Sequence, residues 1–106
     1  LKDATNIESY EWKWGDRKGD YYFPNSHHTF NDDYLVHDFT LAELKSLRLK
    51  QRMTYRTHDL DDYFMVQTLD EIIEMMNMLN SENPRDHPIG LYIENKEYDF
   101  YVENYG

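Results

Sequence analysis

The run Ile89-Gly90-Leu91-Tyr92-Ile93-Glu94-Asn95-Lys96 constrains the fold more than any other stretch. An apolar segment begins directly after Pro88 and ends on a carboxylate and an ammonium two residues apart. A strand alternates faces with period 2, so Glu94 and Lys96 fall on one side. Gly90 lets a neighbour approach closely, and the run has too few polar positions for a half-exposed strand. The pattern predicts a central parallel strand covered on both faces, with its charged carboxyl end at the mouth of a site.

Two helices precede it. Thr40 and Glu43 form a capping box, in which the hydroxyl takes a backbone N–H and the carboxylate returns the bond. Phe39 and Leu44 supply the hydrophobic staple, and Leu41, Leu44 and Leu47 form an apolar stripe within residues 38–50. Thr68 and Glu71 repeat the device, so a second helix is expected to start at Leu69. Leu69, Ile72, Ile73, Met76 and Leu79 recur at helical spacing, widened by Met75 and Met78, and Pro84 ends the run. Helix, short connection and buried strand make half of a β–α–β unit.

The flanks are less periodic. Tyr10-Glu11-Trp12-Lys13-Trp14 alternates and pairs in expectation with Tyr21-Tyr22-Phe23 as a small hairpin across Gly15–Asp20. Residues 57–67 read as a loop tied down by Tyr63, Phe64 and Val66. After Lys96, Tyr98, Phe100 and Val102 alternate with polar residues and predict a further strand; the competing reading is a loop folded over the strand mouth.

Charge is divided along the chain. Residues 1–57 carry nine acidic and nine basic side chains; residues 58–106 carry twelve acidic against Arg85 and Lys96, which is the whole net charge of -10. Such a surface repels nucleic acid and anionic headgroups, so no nucleic-acid partner is expected. No stretch approaches the roughly 18 apolar residues that a membrane span requires. The absence of Cys excludes a disulfide scaffold and thiolate catalysis. Ten Tyr, five Phe and two Trp favour ordered structure over disorder. Both termini have the look of a chain cut from something longer.

Glu94 and Lys96 are the sharpest candidates for chemistry. A carboxylate offers hard oxygen to Mg²⁺ or Ca²⁺, and an ammonium offsets charge on a phosphoryl oxygen. His27-His28, Asp32-Asp33 and His37-Asp38 are a second constellation, whose spacing fits no helical or zinc-finger ligand pattern. His58 and His87 stand alone in polar turns. Asp59-Leu60-Asp61-Asp62 lacks the spaced Gly and terminal Glu of a calcium loop.

Three stretches together resemble the glycerophosphodiester phosphodiesterase family: Asp38-Phe39-Thr40-Leu41-Ala42-Glu43-Leu44-Lys45 with Leu47-Arg48 and Lys50-Gln51-Arg52; Thr68-Leu69-Asp70-Glu71; and Gly90 to Lys96. The opening Leu1-Lys2-Asp3-Ala4-Thr5-Asn6 resembles the segment just past that family's second catalytic histidine. The resemblance implies a TIM barrel that hydrolyses glycerophosphodiesters to an alcohol and sn-glycerol 3-phosphate with Mg²⁺ or Ca²⁺. It implies Glu94 as a metal ligand and Lys96 as a phosphate-side contact. The family's His-Arg-Gly opening, its Glu-x-Asp metal pair and both catalytic histidines have no counterparts here. Gln67 stands where the family has Pro, and Asn95 where it has an aliphatic residue.

The expectation is therefore an α/β chain: a partial TIM barrel with an amino-terminal insertion or hairpin over 1–37 and a helix–helix–strand segment over 38–106. It holds one piece of a metal-dependent hydrolase and is inactive alone. The rival expectation is a non-catalytic acidic interaction protein, self-associating head to tail through its charge split or weakly binding cations.

Overall fold

The computed structural model describes all 106 residues, which form two compact units: residues 1–66 with 97–106, and residues 67–96. In the first, a short helical turn leads into α1 (Glu11–Trp14). An antiparallel pair follows, β1 (Gly19–Phe23) and β2 (His28–Asp33), and this is the whole sheet. The expected hairpin of Tyr10–Trp14 with Tyr21–Phe23 does not form: Tyr21–Phe23 pairs instead with residues 28–30, and Glu11–Trp14 is helical. Trp14 is 1% exposed and packs edge-on to Phe39 with centroids 5.4 Å apart, a contact one helical turn delivers and a paired strand would not. The β1–β2 turn carries His27 at φ 53°, and the register slips between Gly19 and Tyr21.

Then comes α2 (Leu41–Ser46), closed at its start by the expected box: the Glu43 amide donates to Thr40 Oγ1 at 3.3 Å, and the Thr40 amide donates to Glu43 Oε2 at 2.9 Å. The helix stops before Leu47 because the next residues are claimed on both sides. The Asn6 amide donates to the Arg48 carbonyl at 2.9 Å, and the Leu49 amide donates to the Phe64 carbonyl at 2.7 Å. The Lys50 amide donates to the Ala4 carbonyl at 2.8 Å. Residues 47–50 thus run extended between the chain's opening and residues 62–65. Ile7, Trp14, Tyr34, Phe39, Leu44 and Leu47 form the core beneath, and the staple pair Phe39 and Leu44 is part of it. Leu41, expected on the same stripe, is 58% exposed. Of the three residues expected to tie down the following loop, Val66 packs against this core, while Tyr63 and Phe64 are exposed and backbone bonds together with Asp61 hold the rest.

The unit is completed by α4 (Tyr98–Tyr105), where alternation predicts a strand. No partner strand meets it. The helix turns Phe100 edge-on to Phe23 at 4.7 Å and brings Tyr101 and Tyr105 against His37, while Tyr98 and Val102 stay exposed. Glu97 enters the helix from the left-handed region at φ 55°.

The second unit is α3 (Leu69–Glu82) and an extended return. Its capping box forms as expected. The Asn80 side chain holds the return at one point, donating to the Ile89 carbonyl at 2.9 Å and accepting from the Ile89 amide at 2.8 Å. Residues 89–96 form no strand: they have no ladder partner, and Gly90 meets nothing within 4 Å of where a Cβ would stand. This overturns the parallel-strand and TIM-barrel expectation. A parallel strand needs a neighbour reached by a crossover, and an open antiparallel pair elsewhere in the chain supplies none. No helix is long and apolar enough to cross a membrane.

Candidate functional site

Glu94 and Lys96 do meet. Lys96 Nζ donates to Glu94 Oε1 at 3.2 Å, with the side chains 77% and 64% exposed for Lys96 and Glu94 respectively. An extended backbone puts residues i and i+2 on one side whether or not a ladder forms, which is why the pair survives the loss of the strand. Nothing else of use converges there. Mg²⁺ and Ca²⁺ want about six oxygens or more, and no group of three His, Cys, Asp or Glu side chains in the chain is placed to hold a metal ion. The metal-binding expectation is corrected accordingly. Glu94 brings one carboxylate, already engaged by an ammonium, and these residues alone do not fit the ion.

The histidine constellation scatters. His27 Nδ1 lies 3.1 Å from the Tyr22 hydroxyl in the hairpin turn, and His28 stacks at 4.4 Å on Phe30. Asp32 and Asp33 sit at the far end of β2, near Lys18 and the amino terminus respectively. His58 Nδ1 pairs with Asp61 Oδ2 at 2.7 Å, and His87 is exposed.

His37 and Asp38 are brought into a cluster that sequence reasoning missed. Tyr21, Phe100, Tyr101 and Tyr105 surround the His37 ring, with centroids 4.9–6.2 Å away. Its Nε2 is buried without a hydrogen-bond partner, 3.5 Å from Asp38 Oδ1. The Tyr21 hydroxyl donates to Asp38 Oδ2 at 2.7 Å; burial and then that carboxylate push its pKa up to about 12. Burial likewise raises Tyr101. The cluster docks α4 against His37. Its one sequence signal was the density of aromatics in 98–105, hidden by an alternation that mimics a strand.

A second grouping lies in the loop after α2. Leu49, Leu60 and Phe64 line an open cup of about 250 Å³, with Lys50 and Asp61 on its wall. Asp61 Oδ1 accepts from the Gln51 amide at 2.7 Å; that bond first, then His58, holds the carboxyl below its ordinary pKa. The cup is smaller than the roughly 300–1,000 Å³ usual for cofactors and drug-sized ligands. It suits a side chain.

In the first turn of α2, Glu43 is gripped by Arg17 with two bonds, at 2.9 and 3.0 Å. The guanidinium first, and then the Thr40 amide, hold Glu43 down to about 2. This fastens the residues after α1 to the start of α2 and leaves no free nucleophile or base.

No protein-family model matches the chain, and no solved structure matches it either.

Proposed function

We propose that the chain supplies one wall of a glycerophosphodiester-hydrolysing site and does not turn over substrate by itself. The observation that carries this reading is the Glu94–Lys96 pair, side by side and solvent-facing at the end of Gly90-Leu91-Tyr92-Ile93. The ordered likeness of 38–52, 68–71 and 90–96 to glycerophosphodiester phosphodiesterases supports it. Lys96 would face the phosphate, offsetting charge on a phosphoryl oxygen as it is attacked. Glu94 would hold the ammonium in place. Acid–base groups must also come from elsewhere, since His37 is enclosed, His28 lies in β2, and His27, His58 and His87 lie in unrelated turns.

Two assays test this. The 106-residue chain with glycerophosphocholine, in buffer supplying Mg²⁺ and Ca²⁺, releases no glycerol 3-phosphate; turnover that Glu94→Gln abolishes would show the site to be complete. In the native gene product, Glu94→Gln and Lys96→Ala each lower release by about 100-fold or more. Equal rates for wild type and both variants would sink the hydrolase reading.

A second reading, self-association, is favoured by a separate observation. No residue between 67 and 96 is buried, and Leu69, Met75 and Met78 on α3 are about half exposed. An amphipathic helix is stabilised chiefly by covering its apolar face. Purified chain is therefore expected to form particles heavier than 13.0 kDa.

A further inference from the structure

Building on the self-association reading, we infer that two copies join head to tail, with the Met75–Met78 stripe of α3 in one copy seated in the Leu49–Leu60–Phe64 cup of the other. Both faces are exposed, and their chemistry is complementary. Glu71, Met75, Met78 and Glu82 stand at i, i+4, i+7 and i+11 and so share one stripe of the helix, two thioethers between two carboxylates. Glu71 also closes the cap on Thr68, which leaves its charge at that end of the stripe. The helix has four acidic residues and no basic one.

The cup is the reverse. Its apolar floor adjoins Lys45–Thr57, which carries five basic residues and no acidic one, with Arg52 and Arg56 exposed, and these outnumber the three carboxylates Asp59, Asp61 and Asp62 beside Leu60. Asp61 on the wall is taken up by His58 and the Gln51 amide. Leu60 and Phe64 are 57% and 49% exposed, Met75 and Met78 50% each. An unbranched thioether fills an irregular hollow of side-chain size well. Because the two surfaces differ, the contact is heterologous: each copy offers one of each, and assembly continues beyond two unless a ring closes.

Sedimentation equilibrium tests the inference. Between about 10 and 300 µM the wild-type mass rises above 13.0 kDa with concentration, and association weakens at least threefold in about 1 M salt. Met78→Lys, which spoils the stripe, and Leu60→Glu, which spoils the cup, each weaken association at least about tenfold. Both sites are at the surface, so circular dichroism should match wild type; Met75→Lys and Arg52→Glu repeat the test on the two faces. An equimolar mixture of Met78→Lys and Leu60→Glu retains one good stripe and one good cup, and gives a dimer of twice 13.0 kDa and nothing larger. A wild-type mass fixed at 13.0 kDa overturns the self-association reading together with this assignment. Wild-type association that persists in both variants, or a mixture that stays monomeric, overturns the assignment alone.

Discussion

Residues 1–66 with 97–106 and residues 67–96 each contain a helix begun by the same Thr-x-x-Glu box, yet they end differently. The first unit buries Ile7, Trp14, Tyr34 and Leu47 almost completely, and all eight buried large apolar residues are in it. The second buries none, although α3 is the longer helix and the more regularly patterned. Local rules start a helix; they do not cover it. Aromatics distributed along the chain allow the first unit to close over itself, whereas within its own unit the return after α3 is held through the Asn80 side chain.

The sharpest way to break this contrast is to remove a core residue. Trp14→Ala is expected to cost about 3–5 kcal/mol and to unfold the first unit in urea, read by loss of near-ultraviolet circular dichroism. Helical signal from α3 should outlast it; joint loss would mean that the two units unfold as one.

Acid titration comes next. Glu43 is held at about 2 against its ordinary 4.5. Its charged form therefore stabilises the fold above pH 4.5, and that stabilisation drains away as pH falls toward 2. In Arg17→Ala the folded-state value returns toward the ordinary one, so the fall in urea midpoint between about pH 5 and pH 2 shrinks. An equal fall in both proteins would move the acid sensitivity to another carboxylate.

Within the second unit, Asn80→Ala removes both bonds to Ile89 and should cost about 1 kcal/mol. Hydrogen exchange at the Ile89 amide accelerates, while Trp14 and Tyr34 keep their environment. The smallest effect is expected from Met75→Ala in the monomer, under about 0.5 kcal/mol. A loss near that of Trp14→Ala would show α3 to be covered within one copy and would erase the comparison.

The legibility of the sequence divides along the same line. Both capping boxes, the start of α3, its end before Pro84 and the Phe39–Leu44 staple were readable, because each depends on residues within one or two turns. Leu47 was assigned to the helix stripe and is buried, but as the first extended residue after it; long-range bonds to Ala4, Asn6 and Phe64 decided that. Tyr98–Tyr105 alternates like a strand and is a helix, since Phe23 and His37 offer its rings a surface and no strand offers a ladder. Of the candidate site, the Glu94–Lys96 pairing was readable because its members stand only two residues apart. The cup was not: Leu49, Leu60 and Phe64 are brought together only by the Leu49–Phe64 and Asp62–Leu49 backbone bonds.

By itself, then, the sequence determined what short-range chemistry controls: where helices begin, which neighbours share a side, and that the net negative charge lies beyond residue 57. Whether Ile89–Lys96 became a strand was decided only in three dimensions. A β-strand takes its hydrogen bonds from another segment, and here no other segment offers them.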